Sequence, residues 1–237
     1  MQSEKQEKLE FEASENLIDY VKSLTDTVIL LFSRGKDSIG TWLAVRDHFN
    51  VIPVYQYYIP SLSFIDESLR YYEKAFGAKI HQVPHTRFLE SLYACEYQTK
   101  ERCDKLMKHG VNVWSFRRDL CRQFAEEQGH KDAFAALGLR MDDSNMRRMI
   151  IKKNGVISFK RMEFLPIFDW SKARLIEEIK ASGIKLPVDY KMFDRSYEFP
   201  KYASLRHIRK HYPQDYETIL QWYPLIEAEM MRYEESH

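Results

Sequence analysis

The chain alternates between short continuous apolar runs and longer stretches where apolar residues recur with helical spacing, and the switches fall at glycine, proline and serine. The run Thr27 to Phe32 (TVILLF) has the unbroken apolar character of a strand covered on both faces in a parallel sheet. Behind a polar loop, Ile39, Trp42 and Leu43 fall at i, i+3 and i+4 and share one helical face. Val51 to Tyr58 (VIPVYQYY) reads as a second strand. Ile65, Leu69, Tyr72 and Phe76 then repeat at helical spacing up to Gly77, a residue suited to the left-handed position that ends a helix. Ala78 to Pro84 makes a third strand, and a charged, mostly helical stretch follows from Thr86 to Gly129. Asp132 to Leu139 (DAFAALGL) offers a fourth buried strand, and Gly155 to Phe168 reads as a hairpin or two short strands. Ser171 is placed to cap a helix that carries Leu175, Ile176 and Ile179 and ends near Gly183.

This alternation predicts the α/β class, with a parallel sheet covered by helices on both faces. At 237 residues the chain is long enough to bury one good core. The expected organisation is an α/β domain over residues 1–187, with a helical C-terminal extension, 188–237, packed on it. Lys plus Arg number 36 against 35 Asp plus Glu, so any anion site has to come from local clustering rather than a global field. That balance leaves nucleic acid open as a partner without indicating it. No apolar run approaches the roughly 20 residues needed to span a bilayer, and the polar, acidic opening is unlike a secretory signal, so the chain reads as cytoplasmic with no membrane contact. Cys95, Cys103 and Cys121 lack the spacing of a zinc module or disulfide framework and read as three separate thiols in helices.

The candidate chemistry begins in the loop behind the first strand. There Ser33, Arg34, Gly35, Lys36, Asp37 and Ser38 lead into a helix N-terminus, where unpaired amides and the positive end of the dipole favour an anion. Gly35 lets the main chain approach a phosphate, Ser33 and Ser38 can donate hydroxyl hydrogen bonds, and Lys36 adds a mobile charge. The loop is too short for the GxxxxGKS/T pattern, which disfavours a Walker-type site. The plain alternative is a capped helix, with Asp37 or Ser38 as N-cap and Lys36 in solvent. A second polar segment, Gly138 to Arg148 (GLRMDDSNMRR), also follows a buried strand, at the sheet edge where open α/β folds bind ligands. Arg140, Arg147 and Arg148 suit phosphate or sulfate oxygens, and Asp142 and Asp143 can orient those arginines or hold magnesium. A solvated charged face is the alternative for this segment.

Together these segments resemble the PP-loop superfamily, the adenine nucleotide alpha hydrolase-like proteins, and within it the phosphoadenosine phosphosulfate reductase family. The family's SxGKDS loop is matched by Ser33, Gly35, Lys36, Asp37 and Ser38. Its GxRxDES signature resembles Gly138, Arg140, Asp142, Asp143, Ser144 and Arg147, with aspartate at Asp143 in place of the usual glutamate. Leu165 to Pro187 resembles the family's proline, tryptophan and helix segment. Sulfonucleotide reductases carry a nucleophilic cysteine near the C-terminus, whereas this sequence has none after Cys121. The motifs are therefore most similar to those of members that split ATP between its α and β phosphates, such as the small subunit of ATP sulfurylase.

The resemblance implies a sheet of about five strands in the order 3-2-1-4-5. It implies ATP as ligand or substrate, Mg2+ as cofactor, and cleavage to AMP and pyrophosphate. Lys36, Arg140 and Arg147 would be catalytic, and Ser33, Arg34, Gly35, Lys36, Asp37, Ser38, Gly138, Asp143 and Ser144 would bind the nucleotide. Asp37 and Asp143 would serve any metal, and Tyr55, Tyr57 and Tyr58 lie where the fold seats adenine, although at strand spacing they equally suit packing. The resemblance also leaves room for a protein partner or a homodimer. Two alternatives remain: a phosphoadenosine phosphosulfate-binding protein that uses a thiol from a partner or from Cys95, Cys103 or Cys121, and a non-catalytic nucleotide-binding subunit. Farther on, Arg206, His207, Arg209, Lys210 and His211 form a basic cluster that reads as a solvated helical face.

Overall fold

The computed structural model describes residues 9–108, 120–193 and 196–236. Its centre is β1 (Thr27–Leu31), whose residues Val28, Ile29 and Leu30 are buried, as an apolar run flanked by strands on both sides requires. β1 pairs in parallel with β2 (Asn50–Tyr57), Ile29 opposite Ile52, and with β4 (Phe134–Ala136), Ile29 opposite Ala135. β3 (His81–Pro84) lies beyond β2. On the other side β6 (Glu163–Phe164) runs parallel to β4 and antiparallel to the edge strand β5 (Ile157–Ser158).

The order is thus β3-β2-β1-β4-β6-β5, a mixed sheet of six strands. It departs from the expected five-strand parallel sheet at one edge. The expected hairpin forms, and its second arm takes the fifth position while its first arm adds an antiparallel edge. Chain direction across the sheet reverses between β1 and β4, so the loops leaving these two strands open at the switch point.

The helices are α1 (Ser14–Lys22), α2 (Lys36–Val45), α3 (Ser63–Phe76), α4 (Thr86–Tyr93), α5 (Lys100–Lys108) and α6 (Leu120–Glu127). They continue as α7 (Asn145–Asn154), α8 (Lys172–Ser182), α9 (Asp189–Phe193), α10 (Tyr202–His211), α11 (Pro213–Trp222) and α12 (Glu227–Ser236). Among the described residues no helix is long and apolar enough to cross a membrane. Gly77 ends α3 with φ of +63°, and Ser171 caps α8 by accepting from the Arg174 amide, both as the sequence indicates. α1 goes unmarked in the sequence reading because its surroundings are polar. Its signal is Leu17, Ile18 and Val21, all buried, and Ser14 at its start binds the Asp169 carboxylate through both its amide and its hydroxyl.

The chain groups into two compact units, Met1–Val54 with Cys121–Lys185 and Tyr55–Leu120 with Leu186–His237. The C-terminal helices therefore group with residues 55–120, and the division does not follow the sequential segments 1–187 and 188–237. Buried polar contacts within the second unit explain this grouping. Asp215 of α11 accepts from the Ser63 amide at 2.7 Å, the Ser63 hydroxyl at 2.8 Å and the Phe64 amide at 3.3 Å. It caps the first turn of α3 from 152 residues away, where the local N-cap, Leu62, has no acceptor to offer. The Tyr223 hydroxyl meets the buried Ser91 hydroxyl at 2.6 Å, and Ile219 and Ile226 are fully buried. The cluster from Arg206 to His211 has its charged members exposed around buried Ile208, as a solvated helical face should.

Two predictions follow from the second unit. Asp215→Ala strips three donors at the start of α3 and should cost about 2–4 kcal/mol, read from urea denaturation, with Asp215→Asn losing less because it keeps an acceptor. His85, the N-cap of α4, accepts from the Arg87 amide through Nδ1 and stacks on Tyr58, and burial pushes its pKa below the ordinary 6.5. A depressed histidine stays neutral in the fold while the unfolded chain takes up a proton, so stability falls as pH drops through and below 6.5. His85→Asn keeps a capping oxygen and should flatten that part of the pH profile.

Candidate nucleotide site at the switch point

β1 delivers its loop directly into α2, and the shape of that loop is set by two residues. Arg34 is fully buried and adopts φ of +64°, left-handed for a residue with a side chain. Gly35 then returns to extended geometry as the N-cap of α2, with no side-chain cap. The helix therefore starts at Lys36, not after Asp37 or Ser38, so neither acts as the N-cap. An uncapped first turn leaves its amides to find acceptors outside the helix, at the positive end of the dipole. Ser33 and Ser38 bracket the turn, their hydroxyls 3.3 Å apart, with the Ser38 hydroxyl donating to the Gly35 carbonyl at 2.9 Å.

Arg140, on the segment behind β4, is buried and serves as the site's structural clamp. Its Nε donates to Asp37 Oδ1 at 3.0 Å, one terminal nitrogen donates to Asp143 Oδ1 at 2.7 Å, and the other to the Trp170 carbonyl at 3.2 Å. The guanidinium thus holds both loops, rather than presenting its fork to an anion. Asp37 also accepts from Lys36 Nζ at 2.6 Å, and Lys36 retains about a third of its side-chain exposure. The chain of charge runs from Arg140 through Asp37 to the ammonium of Lys36.

Gly138 is required by close approach. A Cβ there would stand 2.8 Å from the carbonyl carbon and oxygen of Asp37 and 3.0 Å from the Thr41 hydroxyl, which itself donates to the Asp37 carbonyl. The structure thus brings together Ser33, Gly35, Lys36, Asp37, Ser38, Gly138, Arg140 and Asp143. Three expected residues have other placements. Arg34 is fully buried, the Ser144 hydroxyl caps α7 by accepting from the Arg147 amide, and Arg147 lines a separate cleft beside α7.

The Arg140 guanidinium bridges the carboxylates of Asp37 and Asp143. Among the described residues no group of three His, Cys, Asp or Glu is arranged to hold a metal. Asp142 instead accepts from the Lys172 amide at the start of α8. The contributions of Thr41, the Trp170 carbonyl and Asp142 escaped the sequence, since none belongs to a recognisable motif. Tyr55 is buried, Tyr57 packs edge-on against Phe88 and Tyr58 stacks on His85.

The cysteines are not three separate helical thiols. Cys95 lies in the turn after α4 with φ of +56°, and a hydrogen bond with Cys103 of α5 is the leading cause that pushes its pKa up to about 11. Such a thiol is almost wholly protonated at neutral pH and a poor nucleophile. The side chain of Cys121 lies outside the described residues.

Gly138→Ala should cost about 1–3 kcal/mol in chemical denaturation, because its new methyl group meets backbone rather than a movable side chain.

Neither a protein-family model nor a curated protein sequence matches the chain. Among solved structures it is similar to the U34-tRNA thiolase NcsA from Methanococcus maripaludis with its 4Fe-4S cluster, at 17% identity over 90% of this chain and 80% of that one. The TM-score of 0.43 is too low for that likeness to assign a family or a chemistry.

Proposed function

We propose that the chain is a PP-loop enzyme that holds ATP by its β and γ phosphates in the Ser33–Ser38 loop and releases AMP and pyrophosphate. The observation that carries this reading is the uncapped start of α2 at the carboxyl end of the central strand, with two hydroxyls and the Lys36 ammonium around it. Backbone amides at a helix N-terminus favour an oxyanion, and they need no reorganisation when charge grows on it.

In the reaction a water that loses its proton to solvent forms a bond to the α-phosphorus and gives AMP; an oxyanion on an acceptor attacking in its place would carry the AMP group away as an acceptor–AMP adduct. The bond from that phosphorus to the α,β-bridging oxygen breaks, and its electron pair leaves on pyrophosphate. Lys36 neutralises that departing charge, and Arg140 is a positioning residue that acts through Asp37. No protein nucleophile is required.

The test is product analysis with purified chain and ATP, together with calorimetric binding of ATP and of phosphoadenosine phosphosulfate. AMP and pyrophosphate are expected. Lys36→Ala should lower kcat by about 10²-fold or more while weakening ATP binding much less, because its benefit grows with the leaving-group charge. ADP and phosphate as products, or an unchanged rate in Lys36→Ala, would refute the proposal. Binding of phosphoadenosine phosphosulfate in preference to ATP would move the chain to the sulfonucleotide group. ATP binding with no turnover would identify a nucleotide-binding subunit.

A further inference from the structure

We infer that α7 and the turn of the β5–β6 hairpin bind single-stranded nucleic acid, with a base seated in the cleft between them. From Ser144 to Met162 the sequence holds no Asp or Glu and carries Arg147, Arg148, Lys152, Lys153, Lys160 and Arg161. That is a charge of +6 in a chain whose net charge is +1. Every one of these cations except half-buried Arg147 is exposed; of the acids that flank the segment, Asp143 pairs with Arg140 at 2.7 Å and Glu163 pairs with Arg161 at 2.6 Å.

Helix electrostatics do not account for the arrangement. Lys152 and Lys153 stand in the last turn of α7, where the dipole welcomes cations. Arg147 and Arg148 stand near its first turn, which contains no acid, and there the same dipole repels them. An external anion at that end would relieve both terms.

The cleft adds the second observation. It is a small, open space of about 80 Å³, so a ligand would be held partly in it and partly against the surface around it. Leu137, Leu139, Ile151, Val156 and Leu165 supply its apolar surface, while Asn154 and Ser158 bring hydrogen-bonding groups to its lining. Arg147 lines it from α7 and Arg161 from the hairpin turn, with Glu163, the partner of Arg161, beside them. A nucleobase has apolar faces, a hydrogen-bonding edge and phosphates on either side, and each part finds a counterpart here. An acidic peptide would meet the charge but leave the apolar interior unused.

The test uses the full chain without ATP, so its outcome is independent of the proposed cleavage reaction. Fluorescence anisotropy would follow a labelled oligouridylate of about 12 nucleotides from roughly 50 to 300 mM KCl, where log K should fall with a slope of about −0.7 per neutralised phosphate. The combined variant Arg148→Gln, Lys153→Gln, Lys160→Gln should flatten the slope by about 2 and weaken low-salt binding by at least about tenfold. Its thermal transition and circular dichroism would establish that it folds. An abasic oligomer of equal length should bind on the order of tenfold more weakly than oligouridylate, which isolates the base seat from the phosphate contacts. No oligouridylate binding at low salt, unchanged affinity in the folded variant, or equal affinity for the abasic oligomer would overturn the inference. Tighter binding of polyglutamate than of oligouridylate would overturn it in favour of an acidic protein partner.

Discussion

The bridge from Arg140 to Asp37, Asp143 and the Trp170 carbonyl is the constraint on which the candidate site depends. A buried guanidinium is tolerable only when its donors are met, and here each partner comes from a different stretch behind the sheet. Removing one member of such a set strands a buried charge and typically costs 3–5 kcal/mol, so the geometry is held far more firmly than a surface loop would be. Gly138 makes the bridge possible by letting the β4 segment pass against the backbone of Asp37 without a side chain between them.

That bridge changes how the charged residues are read. Of the two cations most prominent in the loops, Arg140 is spent on architecture, whereas Lys36 is anchored through Asp37 and keeps solvent contact. Charge used to pre-organise a loop is as much a part of anion recognition as charge that touches the anion, because it avoids reorganisation when the ligand arrives. The balanced net charge of the chain hides a second concentration of cations on α7 and the hairpin turn, where no acid interrupts nineteen residues.

The second unit shows the same economy with fewer charges. Asp215 supplies to α3 the cap that its own flanking residue lacks, and the paired hydroxyls of Ser91 and Tyr223 join α4 to the end of α11. These contacts satisfy buried donors that local sequence leaves open, so helices distant in the chain form one unit.

The sequence by itself determined the features that depend on near neighbours along the chain. The apolar run of β1, the helical spacing of Ile65 to Phe76, the glycine stop at Gly77 and the serine cap at Ser171 each act within a few residues, and each is found where the pattern places it. The hairpin was also legible, but its effect on the sheet was not, since strand pairing is decided by non-local hydrogen bonds. Within the site, the loop composition marked Ser33 to Ser38, and Gly138 and Arg140 stood out as a segment behind a strand. Tertiary structure alone decided that Arg140 clamps rather than grips, that Arg34 is buried, that Ser144 caps its own helix and that Cys95 meets Cys103. The physical reason is common to all four. A side chain's role follows from which partners reach it, and those partners come from parts of the chain that only the fold brings within a few ångströms.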